Sequence, residues 1–197
     1  MAIKAILFDL DGTLTDTIDI WHKTLNDVLA YAGMGKIERN AYEKKYWGMD
    51  SRTKLKVILK IDGEKLEEMY NYFNERLVEN FAETETFEGV DKTIKELSKT
   101  LKLAVVSNSS MDVVEAQLKA TKLIQFFDAL VADAEPKPSP DGINAALGAL
   151  GVSKDDAVFV GDSQYDLQAG KTAQIKTLIV RKDITNLREL LDKIQTL

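Results

Sequence analysis

Five short apolar runs, at residues 3–8, 101–106, 129–131, 157–160 and 177–180, constrain this chain more than anything else in it. Each reads as a buried strand. Helical patterns lie between most of them, at 90–100, 110–119, 140–150 and 166–172. Strand and helix in alternation predict an α/β fold with a doubly wound, Rossmann-like parallel sheet. One stretch breaks the rhythm. From 17 to 82 there is no strand pattern, while Leu25, Val28 and Leu29, then Leu55, Ile58 and Leu59, then Leu66, Met69, Tyr70 and Phe73 recur at helical spacing. Gly33-Met34-Gly35, Trp47-Gly48 and Asp62-Gly63 punctuate it. A structureless crossover of that length is foreign to a compact domain. The expectation is therefore an α/β core built from 1–16 and 83–197, with an inserted α-helical domain over 17–82.

The residues just beyond each apolar run carry the chemistry. The first run leads into Asp9 and Asp11, the second into Ser107 and Asn108, the third into the loop EPKPSP with Lys137, and the fourth into Asp162 and Asp166. In a parallel sheet these ends share one edge, where open α/β sheets bind ligands. Asp9, Asp11 and Asp162 would crowd like charges there, and a hard divalent cation such as Mg²⁺ relieves that repulsion. A carboxylate beside such an ion can attack phosphorus and form an aspartyl-phosphate. Ser107 can hydrogen-bond a phosphoryl oxygen, and the helix after it offers N-terminal amides. Lys137 supplies a compact positive charge in a loop stiffened by Pro136 and Pro138.

Composition narrows the partners. The chain has 197 residues, is 45% hydrophobic and has no cysteine, which excludes disulfides, zinc-thiolate sites and thiol nucleophiles. A net charge of −6 argues against nucleic-acid backbones. The N-terminal residues lack a signal-peptide pattern, and no apolar run approaches the ~18 residues of a membrane span. A cytoplasmic setting is expected, as is a monomer or small homo-oligomer acting on a small phosphorylated metabolite, with neither nucleic acid nor membrane as partner.

FDLDGTLTD, VVSNS, EPKPSP and VFVGDSQYDLQAGKTA resemble the four ordered motifs of the haloacid dehalogenase superfamily of phosphatases. The insertion resembles the helical cap of its phosphoglycolate phosphatase and β-phosphoglucomutase-like branch. The resemblance implies that Asp9 is the nucleophile and a Mg²⁺ ligand. It implies that Asp11 is the general acid/base, with its backbone carbonyl on the metal. Ser107 and Lys137 would hold the transferring phosphoryl group, Asp162 would ligate Mg²⁺, and Asp166 would support the metal or Lys137. Gly12 would let the chain turn and a backbone amide approach the phosphate. With Asn108 and Arg52 it completes the expected substrate-binding set of Gly12, Ser107, Asn108, Lys137 and Arg52. The cap contacts would come from Trp47, Gly48, Met49, Ser51 and Arg52.

The implied reaction is hydrolysis of a small phosphate monoester. Phosphoglycolate leads, with sugar phosphates, nucleoside monophosphates and pyrophosphate open. A phosphomutase is the alternative within the fold, but mutases of this branch carry lysine directly before the cap glycine, where this chain has Trp47. A receiver-like phosphoacceptor module is the alternative outside it; such a module lacks the long insertion, and its acceptor comes after a middle strand. Gly170-Lys171-Thr172 is no P-loop, because Tyr165 stands where the motif needs glycine. His22, the only histidine, reads as structural, and Asp16 as a hinge or turn residue.

Overall fold

The computed structural model describes residues 3–194. Strands β1 (Ala5–Phe8), β2 (Lys102–Val106), β3 (Ala129–Val131), β4 (Ala157–Gly161) and β5 (Lys176–Ile179) form one sheet in the order β3-β2-β1-β4-β5. Every pairing is parallel. The expected strands are all present, shifted by one or two residues at their ends. β1 comes first in the chain but lies at the centre of the sheet, so Asp9 leaves a strand that is first in order and middle in space.

Alternation along the strands explains the two layers of helices. Ile6, Phe8, Leu103, Val105, Val158 and Val160 face one side and pack with Ile94 of α5 (Val90–Leu97), Leu118 of α6 (Met111–Ala120) and Leu190 of α9 (Glu189–Lys193). Ala5, Leu7, Ala104, Val106 and Phe159 face the other and pack with Ile143, Ala146 and Leu150 of α7 (Asp141–Leu150) and Ala169 of α8 (Gln164–Ala173). Helix α8 begins before its apolar pattern. Ser163 accepts from the Asp166 N–H while the Asp166 carboxylate accepts from the Ser163 N–H, a reciprocal cap that starts the helix at 164. Helix α9 escapes the sequence reading because it is little more than a turn long; its Leu190 is nonetheless wholly buried.

Between β1 and α5 lie four helices: α1 (Ile18–Tyr31), α2 (Arg39–Lys45), α3 (Ser51–Leu59) and α4 (Glu64–Asn80). Among the described residues of this stretch there is no strand. Trp21, Leu25, Val28, Tyr42, Leu55, Phe73 and Leu77 form its own apolar cluster. That cluster also takes in Val113 of α6, so the helical layer is anchored on the sheet-flanking helix. The two connections run side by side: Thr15 bridges to Thr86, and the Asp16 N–H donates to the Glu85 carbonyl at 3.1 Å. Within the described residues no helix is long and apolar enough to cross a membrane.

Phe159 is fully buried at the centre of the second face. Phe159→Ala is expected to lower stability by about 3–5 kcal/mol, through lost transfer energy and an unfilled cavity. Urea unfolding followed by circular dichroism reads this as a fall in midpoint at unchanged slope.

Candidate active site

The parallel register brings the expected residues to one edge. Phe8 lies level with Val105 and Val160, so Asp9 leaves β1 where β2 and β4 are also ending. The ladder continues into the site itself. The Asp9 N–H donates to the Val160 carbonyl at 2.8 Å, and the Ser107 N–H donates to the Val131 carbonyl at 3.0 Å. Asp9 and Ser107 are therefore held by main-chain bonds before any side chain acts.

A narrow cavity opens at this edge, between the strand ends and the helical layer. Asp9, Asp11, Ser107, Asn108, Lys137, Asp162 and Asp166 all line it. At its floor the Lys137 ammonium donates to Asp9 Oδ1 at 2.5 Å, to Asp166 Oδ1 at 2.7 Å and to the Val106 carbonyl at 3.2 Å. The lysine is fixed from behind by Asn108, whose Oδ1 accepts from the Lys137 N–H at 2.8 Å. Asp9 Oδ2 accepts from the Thr13 hydroxyl at 3.0 Å. Asp166 Oδ2 accepts from the Ser163 N–H at 3.0 Å and from its hydroxyl at 2.5 Å.

Carboxylate oxygens of Asp9, Asp162 and Asp166 lie within 4.8 Å of one another. Burial raises the pKa of Asp9 well above the ordinary value; Lys137 opposes this, and Asp166 and Asp162 add to it. Burial likewise raises Asp162 to about 6, reinforced by Asp166 and opposed by its bonds to Trp47 and Arg181 and by the charge of Lys137. Burial disfavours the charge on Lys137, but Asp166 and Asp9 outweigh it and raise that pKa. One buried ammonium thus faces three carboxylates whose mutual repulsion is only partly relieved. Three hard oxygen donors in that state suit a divalent metal ion.

Asp11 faces the other way. Its Oδ1 accepts from the Thr17 hydroxyl at 2.7 Å, the Trp21 indole at 2.6 Å and the Gln117 amide at 3.0 Å. Thr15 in turn donates to Gln117 Oε1 at 3.0 Å, which orients that amide. The Asp11 carboxylate is therefore no member of the acidic cluster; its expected metal contact, by the backbone carbonyl, does not involve the side chain.

Two expected substrate contacts are corrected. Arg52 is turned away from the cavity: its Nε donates to Glu67 at 3.0 Å and its guanidinium stacks 3.7 Å above the Tyr70 ring, both on α4. Gly12 has φ +83°, and a side chain there would collide with the Asp162 carboxylate and the Trp47 indole. Its own N–H, however, donates to the Thr15 carbonyl at 2.9 Å, so it serves the turn and has no free amide for an anion. His22 is structural, as read: its Nε2 meets the Ile37 carbonyl at 2.7 Å.

The helical layer contributes side chains to the site as well. Trp47 donates its indole N–H to Asp162 Oδ2 at 3.0 Å, beside Arg181 at 3.1 Å on the same oxygen. The Gly48 carbonyl accepts from Asn108 at 3.4 Å. Trp21, Tyr42, Lys54 and Gln117 are functional neighbours that sequence reasoning missed. The available signal was phase. Lys54 sits at the inward spacing of Ser51, Leu55 and Ile58, and Gln117 at that of Val113, Val114 and Leu118.

A sequence profile described as haloacid dehalogenase-like hydrolase matches residues 6–180. Pyrophosphatase PpaX of Halalkalibacterium halodurans is 33% identical over 190 residues, which span 91% of this chain and 84% of that protein. The crystal structure of CbbY from Rhodobacter sphaeroides in complex with phosphate superposes with a TM-score of 0.82 at 29% identity, covering 90% of this chain and 85% of that one. A mutant of CbbY in complex with xylulose-(1,5)bisphosphate gives 0.81 at 28%, with coverage of 90% and 85%.

The crowding of carboxylates makes a prediction for the metal-free protein. Because the folded pKa of Asp162 is raised, its contribution to stability is present at low pH and is lost as pH rises from the ordinary carboxylate range through about 6. In EDTA, Asp162→Asn should gain about 2–3 kcal/mol over the parent at pH 7 and little at pH 4. Denaturant midpoints at the two pH values measure this; an equal effect at both would contradict it.

Proposed function

We propose, since the chain belongs to the haloacid dehalogenase-like hydrolase family, that it is a Mg²⁺-dependent phosphatase that carries the phosphoryl group of a small metabolite on Asp9. The observation that carries the reading is the pair of carboxylates in one cavity with opposite surroundings. Asp9 is tied to Lys137 and stands among the acidic cluster, while Asp11 is held by neutral donors, the three close ones on Oδ1.

Asp9, Asp162 and Asp166, with the Asp11 carbonyl, would hold Mg²⁺. When bound, the ion neutralises charge on the carboxylates and on the phosphoryl oxygens. The rest is done by side chains. An Asp9 oxygen attacks phosphorus as the bond to the leaving oxygen breaks, which gives an aspartyl-phosphate. Asp11 donates a proton to that leaving oxygen. With Oδ1 saturated by Thr17, Trp21 and Gln117, the proton is carried on Oδ2, which meets only the Ser109 hydroxyl at 3.4 Å. Asp11 then takes a proton from the water that cleaves the aspartyl-phosphate and returns Asp9 and inorganic phosphate. Lys137 and Ser107 bind the phosphoryl oxygens, and Asn108 holds the Lys137 loop.

Helices α1–α4 act as a cap in this reading, hinged where Thr15 and Thr86 lie side by side. Closure brings Trp47 and Trp21 onto the two halves of the site and excludes water. The cavity is lined by charged and polar side chains from both the sheet edge and the helical layer, which suits a small charged ligand. Phosphoglycolate, sugar phosphates and pyrophosphate are the candidates, the last favoured by the likeness to PpaX. Trp47, where the resembled mutases have lysine, favours hydrolysis over isomerisation. The helical insertion sets the chain apart from a receiver-like phosphoacceptor.

Phosphate release from phosphoglycolate, hexose phosphates, nucleoside monophosphates and pyrophosphate, with Mg²⁺ and with EDTA, tests the proposal. Turnover should require the metal. Asp9→Asn should lower kcat at least about 10³-fold, and Asp11→Asn about 10²–10⁴-fold on unactivated substrates. Full activity in Asp9→Asn would exclude Asp9 as the nucleophile.

A further inference from the structure

Lys54 is a buried cation that forms no salt bridge among the described residues. It belongs to α3, its exposure is 3%, and it lines the cavity from the helical side. Its one hydrogen bond is to the neutral Tyr42 hydroxyl at 3.4 Å. Its ammonium lies 4.8 Å from the Trp21 ring centre and 5.4 Å from that of Tyr42. Burying an ammonium without a counter-charge is costly, and ring faces repay only part of the cost. Lys137, equally buried, is matched by two carboxylates.

The surroundings limit what can pair with Lys54. Asp11 and Asp50 are the carboxylates whose charge it feels. Asp50 caps its own helix, where it accepts from the Thr53 N–H at 2.9 Å, and acts on Lys54 only from beyond salt-bridge distance. Asp11 holds its three close donors on Oδ1 and bonds Ser109 on Oδ2, so Lys54 is not its partner. Among the described residues that line the cavity, Lys54 and Lys137 are the cations, and Lys137 is committed to Asp9 and Asp166. Burial lowers Lys54 to about 8, with Asp11 and Asp50 opposing. An incoming anion supplies what this site lacks. The Ser51 hydroxyl, one turn earlier on the same face and also buried, is a second donor lining the cavity.

We propose that Lys54, with Ser51, anchors a second anionic group of the substrate, so that the enzyme selects small phosphates carrying a further carboxylate or phosphoryl group. The inference rests on the hydrolase reading above. The phosphoryl being transferred belongs to Asp9 and Lys137 at the sheet edge, and Lys54 stands on the opposite, helical wall. A ligand with two charged ends bridges the walls; one with a neutral tail leaves Lys54 uncompensated. The cation sets specificity and takes no part in bond making.

The test compares kcat/KM for two-headed substrates, pyrophosphate and phosphoglycolate, with that for ethyl phosphate, in the parent, Lys54→Met and Lys54→Arg. Loss of one charge-assisted contact should cost Lys54→Met at least about tenfold more on a two-headed substrate than on ethyl phosphate. The loss should appear mainly in KM, with partial recovery in Lys54→Arg. A loss confined to pyrophosphate, or to phosphoglycolate, tells a phosphoryl from a carboxylate anchor. Equal factors on all three substrates, or no change on any, would overturn the proposal. Should Lys54→Met not fold, Lys54→Gln gives the same comparison. If the parent releases phosphate from none of these, nor from the hexose phosphates and nucleoside monophosphates of the panel above, the hydrolase reading fails by itself. Lys54 is then judged by calorimetric binding of methylenediphosphonate and methylphosphonate with Mg²⁺. Selective weakening of the diphosphonate in Lys54→Met upholds the anchor, and uniform binding rejects it.

Discussion

The bond pair from Lys137 to Asp9 and Asp166 is the interaction on which the rest of the site depends. Both acceptors and the donor are almost fully buried, at 2.5 Å and 2.7 Å. Removing one member of such a group would strand a charge in low dielectric, which costs far more than a surface ion pair contributes. The parallel sheet makes the group possible, because the end of β1, the loop after β3 and the first turn of α8 bring its members together from distant points in the chain. The arrangement is incomplete in charge. Asp162 adds a third carboxylate, and Arg181, half exposed, reaches it only from the outside. A site short of one positive charge is suited to recruiting a cation, and an anion with it.

The helical layer does more than cover this site. Trp47 bonds the Asp162 carboxylate, Trp21 bonds the Asp11 carboxylate, and the Gly48 carbonyl meets the side chain that fixes Lys137. In the proposed reaction these three belong to different pieces of the chemistry: metal, acid and phosphoryl anchor. An outer hydrogen-bonding partner orients a ligand or an acid and tunes its basicity. In the proposed reading, specificity and assembly of the site are coupled, since the helices that would meet the substrate tail also complete the surroundings of the acidic residues. Gly48, with φ +76°, has no side chain where one would press on Tyr165 and Ser163, and so lets the layer approach that closely.

Most of the fold was legible because its signals are local. Apolar runs marked the strands, and period-3.6 patterns marked the longer helices. Asp9, Ser107, Lys137, Asp162 and Asp166 were legible because each directly succeeds, or lies soon after, a strand whose end the topology places at one edge. The side-chain partners were not. Nothing within a few residues of Gln117 says that its amide will orient Asp11, since the bond closes a separation of 106 residues. Gly12 misled for the opposite reason. Its conformational freedom was correctly read, but the fate of its N–H depended on Thr15 three residues on, whose carbonyl took it within the turn.

Arg52 and Lys54 show how little separates a surface charge from a buried one. They stand two residues apart on one helix, hence about 200° apart around its axis. Arg52 lies about 100° from Ser51, at the edge of the inward face, where Glu67 and the Tyr70 ring take up its guanidinium. Lys54 falls directly before Leu55 and three residues after Ser51, both buried, and is carried inward with them. Arginine is the richer anion binder, so charge type alone favours Arg52. Engagement overrides type, because this guanidinium is held by Glu67 and the Tyr70 ring while the Lys54 ammonium lines the cavity. The residue to weigh in such a cap is the cation lying in the apolar phase, since burial there is tolerable only where something else restores neutrality.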